Sequence, residues 1–173
     1  DRRAETSARN RKRLTPMSIS AFIWFAPAAA SLPIVVSDFR RRRVSVMWLA
    51  ALFVASVFAS AYSESLRAAM THLLYGCTLA ALLMLCLAGY LKLRYRRVRL
   101  GTAFGAGDLC HIIALSPLFP PTDLLKLLVA AAAISLAWYR ILNRGRRSTI
   151  PFAGMIGITL ICVTVIRFCM LCL

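Results

Sequence analysis

The sequence predicts an all-α, polytopic membrane protein with six transmembrane helices and both termini on the outer side of the membrane. Three observations predict this fold class. Hydrophobic residues make up 60% of the 173 residues and the mean hydropathy is +0.72, whereas soluble globular proteins are about 45–50% apolar. Apolar runs of about 18–23 residues recur, and each is long enough to cross a bilayer as a helix. Clusters of arginine separate these runs.

Six apolar segments follow one another along the chain, and each is predicted to form one helix. Their ranges are 18–37, 44–62, 67–91, 103–119, 122–140 and 151–173. The fourth is the shortest because Pro117, Pro120 and Pro121 close it, and proline cannot continue a helix. Thr122 is predicted to cap the start of the fifth helix, and Asp123 suits the positive end of that helix's dipole.

The distribution of basic residues predicts the orientation in the membrane. The first, third and fifth loops together hold thirteen Lys and Arg residues, whereas the second and fourth loops hold one. Because Lys and Arg accumulate in cytoplasmic loops, we expect the odd-numbered loops on the cytoplasmic side and both chain ends outside. Residues 1–16 carry six more basic residues. They precede Met17, which we interpret as the first residue of the natural protein. We treat 1–16 as a separate basic leading segment, added or upstream, and 17–173 as the six-helix domain.

The net charge of +16 does not indicate a nucleic-acid partner. The basic residues occupy short loops between apolar segments, and a nucleic-acid site needs a continuous basic surface. Arg40–Arg43 and the basic cluster at 92–99 are instead expected to contact anionic lipid headgroups at the cytoplasmic face.

The cysteines do not predict a metal site. Six of them, at positions 77, 86, 110, 162, 169 and 172, lie inside or beside apolar segments. Cys169 and Cys172 have C-x-x-C spacing, but neither a second pair nor a histidine cluster completes a zinc site. Buried cysteine usually behaves as a small apolar side chain. We therefore predict neither a metal nor a cofactor.

Two acidic residues are the candidates for a catalytic role. The chain has only six Asp and Glu residues; of these, Asp38 ends the first predicted span and Asp108 begins the fourth. Ionisable groups at membrane depth are costly and usually mark a functional site. Simpler interpretations exist for each residue alone: an ion pair with Arg40–Arg43 for Asp38, and a helix N-cap for Asp108.

Because the first and fourth helices run in opposite directions, they place these two carboxyl groups at the same depth. Two carboxylates in one site cannot easily both ionise, so the pair tends to share a proton. The ionised group can then take a proton from water that attacks an amide, while the protonated group hydrogen-bonds to the developing oxyanion. Gly105 and Gly107 give the chain before Asp108 conformational freedom and let another chain approach closely.

Three segments resemble the type IV prepilin peptidases, a family of intramembrane aspartyl proteases. GAGD at 105–108 resembles their G-x-G-D motif, and DFRRRRVS at 38–45 resembles their first-aspartate segment. TIPFAGMIGI at 149–158 resembles their I-P-F-G-P stretch near the last span. The three segments occur in the family's order, and the resemblance covers residues 18–165.

The resemblance implies a membrane endopeptidase of the bacterial inner membrane. Such enzymes remove the short basic leader of prepilin-like subunits at the cytoplasmic face, just before the subunit's hydrophobic helix. Asp38 and Asp108 would be the catalytic pair, and Gly105 and Gly107 would shape the active-site loop. The paired C-x-x-C motifs of the family's N-terminal methylation region are absent from the sequence, so we expect cleavage without methylation.

The sequence departs from the family at three places. Cys110 stands where lysine is common, Ser45 stands where proline is usual, and Ala153-Gly154 replaces Gly-Pro. These departures leave open the choice of substrate and the activity itself.

His111 and the function each have alternatives. His111 follows Asp108 by three residues, so it either tunes the aspartate pair or is a neutral, hydrogen-bonded histidine at the interface. Two other functions fit the same residues: a non-catalytic assembly factor that binds pilin-like helices, and a small transporter that uses both aspartates as proton or cation sites.

Overall fold

The computed structural model describes residues 17–41, 44–94, 105–142 and 152–172. These residues are 94% helical and contain no strand. They form six α-helices: α1 (Met17–Arg41), α2 (Val46–Ser63), α3 (Leu66–Arg94), α4 (Ala106–Leu115), α5 (Pro121–Leu142) and α6 (Phe152–Cys172). Each overlaps one of the six predicted segments, although α4 is shorter than its predicted range of 103–119. The leading segment 1–16 and most of the third and fifth basic loops lie outside the described residues.

Four of the helices are long and apolar enough to cross a membrane. These are α2, α3 over Leu66–Tyr90, α5 over Pro121–Ile141 and α6 over Phe152–Met170. Their outward faces carry large apolar side chains such as Phe58, Leu74 and Leu85, which would be unfavourable in water. The described part of the chain is therefore consistent with a multi-pass membrane protein.

The helix boundaries follow from local hydrogen bonds at polar residues and prolines. Ser45 precedes α2 in an extended conformation, and its carbonyl accepts from the amide of Leu49 (3.1 Å). The Ser65 hydroxyl accepts from the amide of Ala68 (3.1 Å), so this serine caps α3. The helix α4 ends in a 3₁₀ turn at Ser116–Leu118, where Pro117 lies near the start of the turn.

The prediction that Thr122 caps α5 is wrong. The helix begins one residue earlier, at Pro121, where the missing amide of proline costs nothing. The Pro120 carbonyl accepts from the amides of Asp123 and Leu124, both at 3.0 Å. Asp123 does lie in the first turn of α5, as expected.

The short helix α4 occupies the centre of the bundle. It packs against α2 and α3 and contacts the first part of α6, while α1 packs against α2 and α6. Its inward residues Ile112 and Leu115 belong to the same buried cluster as Leu52 of α2 and Leu160 of α6. Gly76 lets α3 approach closely, because a Cβ there would overlap the Ser116 side chain. This arrangement brings the start of α4 to the start of α6.

Candidate active site

The two aspartates meet at the N-terminus of α6. Asp38 lies in the last turn of α1, and Asp108 lies in the first turn of α4. The amide of Ala153 donates to Asp108 Oδ1 (2.7 Å). The amide of Gly154, the next residue, donates to Asp38 Oδ2 (2.7 Å). Two carboxylates 70 residues apart in sequence therefore bind neighbouring amides of one helix.

The start of a helix is a favourable place for such groups. The first four amides of an α-helix have no partner within the helix, and the helix dipole makes that end positive. Ala153 and Gly154 are the second and third residues of α6 and both are buried. Their amides would be unsatisfied without the two carboxylates, so α6 and the aspartates stabilise each other's positions.

The carboxylates interact with each other as well as with α6. Asp38 is only 8% exposed, whereas Asp108 is partly exposed, and the two carboxylates lie close together because they accept from consecutive amides of α6. Like charges held this close favour a state in which the pair keeps one proton. The arrangement can thus present one carboxylate and one carboxylic acid to a molecule that reaches Asp108.

The N-cap interpretation of Asp108 is wrong. The residue that precedes α4 is Gly105, and its carbonyl accepts from the Asp108 amide (3.0 Å). The Asp108 side chain bonds to a different helix, 45 residues further along the chain. A residue in the first turn of a helix is free to do this when its carboxylate faces the neighbouring helix rather than its own amides.

Gly105 and Gly107 are important because they have no side chain, not because they adopt an unusual backbone conformation. Gly105 has an ordinary extended φ of −74°, so the conformational freedom expected of this glycine is not needed there. A Cβ at Gly105 would lie 3.2 Å from Asp108 Oδ2, and a Cβ at Gly107 would lie 2.9 Å from Val44 Cγ2. Gly105 thus leaves room for the carboxylate. Gly107, which lies within α4, lets the start of α2 approach.

Gly154 is a site residue that the sequence analysis did not assign. A Cβ there would lie 2.7 Å from Phe39 Cε2 and 3.2 Å from Asp38 Oδ2. Phe39 also makes an edge contact with Trp138 of α5, with ring centroids 6.0 Å apart. Gly154 lies in the TIPFAGMIGI segment, which resembles the I-P-F-G-P stretch of the prepilin peptidases. The pattern alone could not show that two of its amides hold the carboxylates.

His111 lies in the core, one helical turn after Asp108. Its side chain is fully buried, and neither ring nitrogen has a hydrogen-bond partner in the described part of the chain. The interpretation as a hydrogen-bonded interface histidine is therefore wrong. The alternative, that His111 tunes the pair, has no direct contact to support it and stays a prediction.

Within the four described segments, no group of three or more His, Cys, Asp or Glu residues is placed to hold a metal ion. Cys110 and Cys169 are exposed, and the side chain of Cys172 lies outside the described set.

Comparison with known proteins identifies no relative. No protein-family model matches the chain, and neither a curated protein nor a solved structure is detectably similar to it. The function must therefore be inferred from the site itself.

Proposed function

We propose that this protein is a membrane aspartyl endopeptidase of the prepilin-peptidase type. The observation that carries the proposal is the binding of Asp108 and Asp38 to the adjacent amides of Ala153 and Gly154. Two carboxyl groups from separate helices, held together and partly shielded from water, are the chemical requirement for metal-independent amide hydrolysis by an aspartate pair. The three segments that resemble the family contain these four residues.

In the proposed reaction the aspartate pair starts with one proton. The ionised carboxylate takes a proton from a water molecule as the water oxygen attacks the scissile carbonyl carbon. The protonated carboxyl donates a hydrogen bond to the developing oxyanion. The tetrahedral intermediate then collapses, the C–N bond breaks, and the leaving nitrogen receives a proton from the pair. The products are a carboxyl terminus and a free amine, and the pair again holds one proton.

The amides of α6 have a positioning role in this scheme. Each amide fixes one oxygen of one carboxylate, so the other oxygens keep a constant orientation toward the substrate. Preorganised groups of this kind lower the barrier because they need not reorient during the reaction. Replacement of the family's Gly-Pro by Ala153-Gly154 supplies an amide at 154 that proline would lack.

The proposed topology has six spans, with Asp38 and Asp108 toward the cytoplasmic side of a bacterial inner membrane. The basic loops would bind anionic lipid headgroups there. The substrate would be a prepilin-like subunit whose short basic leader lies in the cytoplasm and whose apolar helix lies in the membrane. Cleavage would occur between these two parts.

The test is a mass measurement on a purified prepilin-like protein incubated with this protein in lipid vesicles. We expect one cut that releases the basic leader, and we expect Asp38→Asn to abolish it while the protein stays folded. An unchanged substrate mass together with stable binding would favour the assembly factor instead. Proton flux linked to a solute, without cleavage, would favour the transporter.

A further inference from the structure

An apolar groove lies between α3, α4 and α5, and its lining includes the residue after Asp108 and the residue before Ala153. It has a volume of about 320 Å³ and is lined entirely by apolar residues of α3, α4 and α5 together with Phe152 of α6. This size is in the range of small-ligand pockets. It accommodates a few large side chains rather than a whole helix.

One end of the groove is lined by residues that are sequence neighbours of the site residues. Leu109, which follows Asp108 in sequence, lines it, and so does Phe152, which precedes the Ala153 amide that binds Asp108. From there the lining follows α4 to Ile112, one turn further from the N-terminus of that helix. The groove is therefore close enough to the pair for the residues next to a bound amide bond to reach it.

The groove is open at the side of the bundle. Its floor is formed by buried residues such as Ala80 and Leu128, which are 1% and 5% exposed. Its rim, between α3 and α5, is formed by exposed residues such as Leu83, Val129 and Ala132. Both rim helices are apolar enough to cross a membrane, so an apolar segment can enter from the lipid without crossing a polar surface.

We propose that this groove, called here the α3–α5 groove, binds the first apolar side chains that follow the scissile bond of the substrate. The inference rests on the proposed function and adds to it the part of the site that selects the substrate. The occupant follows from polarity: the carboxylates provide the polar end of the site, and the groove provides an apolar end directly beside it. A substrate with a basic segment joined to an apolar segment matches both ends.

This arrangement explains how cleavage would be restricted to one bond. Burial of apolar side chains in the groove stabilises the complex and fixes the register of the chain against the pair. A peptide bond several residues away would leave the groove empty or place polar residues in it. The groove would therefore select the peptide bond that is cut, and the aspartates would catalyse its cleavage.

The test compares two neighbouring alanines of α5. Both are exposed, but only Ala132 lines the groove, so Ala132→Trp fills the groove and Ala133→Trp is the matched control. Each variant is assayed on two purified substrates: a single-span protein with a basic leader, and a soluble peptide with the same leader and scissile bond but no apolar segment. We expect Ala132→Trp to lower kcat/KM for the single-span protein about tenfold or more. The soluble peptide should be cut within about twofold of the wild-type rate, and Ala133→Trp should be normal on both.

A second measurement does not depend on catalysis. A benzophenone-bearing residue in place of Ala132 or Ala133, in an Asp108→Asn background, is irradiated with the intact single-span protein in vesicles. We expect cross-links from position 132 to the apolar segment of the substrate, and none from position 133. Cross-links without any cleavage by the wild-type protein would reject the proposed function but keep the groove assignment.

Three results would overturn the inference. They are normal cleavage of the single-span protein by Ala132→Trp, an equal loss on both substrates, and cross-links from position 132 to lipid alone. The last result would identify the occupant as a lipid acyl chain.

Discussion

Asp108 and Asp123 occupy the same position in two helices but have opposite surroundings. Each is the third residue of its helix, in the first turn of α4 and α5 respectively. Asp123 accepts from Lys126 of its own helix (2.9 Å), in an ion pair that is largely exposed. Asp108 accepts from the Ala153 amide of another helix (2.7 Å), beside a second carboxylate.

The difference shows that helix position does not decide what an aspartate does. A carboxylate in a first turn is favoured by the helix dipole in either case. The Asp123 carboxylate pairs with Lys126 in its own helix. Asp108 uses its carboxylate to join α4 to α6, and this long-range contact brings it to Asp38. Of these two residues, it is Asp108 that lies beside a second carboxylate, as the proposed reaction requires.

The largest expected effect comes from removing the charge at each position in turn. We expect Asp108→Asn to lower cleavage of a prepilin-like substrate by about a thousandfold or more, because general acid–base catalysis contributes roughly 10²–10⁴. Asp123→Asn, the matched control, should retain the wild-type rate within about twofold, since the Asp123 carboxylate pairs with an exposed Lys126 and exposed pairs contribute little. Initial rates from gel densitometry measure both. Equal losses in the two variants would remove the distinction between the sites.

The second prediction concerns the close packing of Phe39 and Asp38 against Gly154. We expect Gly154→Ala to lower the cleavage rate by about a hundredfold, because a Cβ would displace the Phe39 ring and Asp38, and displacements of about 1 Å are that costly. Gly89→Ala is the control, since among the described residues no side chain or neighbouring helix lies within 4 Å of a Cβ at that position. Phe39→Leu combined with Gly154→Ala should recover part of the rate. No recovery would show that the loss does not arise from contact with Phe39.

The sequence was sufficient for the helices but not for the contacts between them. Arginine clusters and prolines bounded six apolar segments, and all six are helices, because hydropathy and helix-breaking residues act locally. Asp38 and Asp108 could be selected as candidates because acidic residues are so few in this chain. Their common partner could not be selected, since the amides of Ala153 and Gly154 carry no side-chain signal. The sequence also could not show that His111 is buried without a hydrogen-bond partner among the described residues, because this depends on tertiary packing.

A third effect separates the packing of the bundle from the chemistry of the site. We expect Gly76→Ala to destabilise the fold by roughly 1–3 kcal/mol, the usual range for overpacking. The added Cβ would overlap the side chain of Ser116. The Ser116 hydroxyl donates to the Ile112 carbonyl (2.8 Å). Thermal unfolding in detergent, followed by circular dichroism, measures the change against Gly89→Ala in the same helix. A Gly76→Ala protein as stable as the control would contradict the close approach of α3 to the 3₁₀ turn.

The smallest effect concerns the local ion pair. We expect Lys126→Ala to change the free energy of unfolding by roughly 0.5 kcal/mol or less, as is typical of exposed pairs along a helix. The same unfolding assay applies, and cleavage should be unchanged. A loss well above 1 kcal/mol would mean that Asp123 has a structural role closer to that of Asp108 than the comparison allows.

The most direct test of the account is a cross-linking measurement between the two aspartate positions. In a variant whose native cysteines are replaced by serine, Asp38→Cys and Asp108→Cys are introduced together and treated with a short thiol-specific cross-linker. Mass spectrometry of the digested protein then detects a link between the end of α1 and the start of α4. The account predicts an efficient link in this protein and none when Asp123→Cys takes the place of Asp108→Cys. Absence of the first link, with both thiols shown to be reactive, would contradict the convergence of Asp38 and Asp108 on α6.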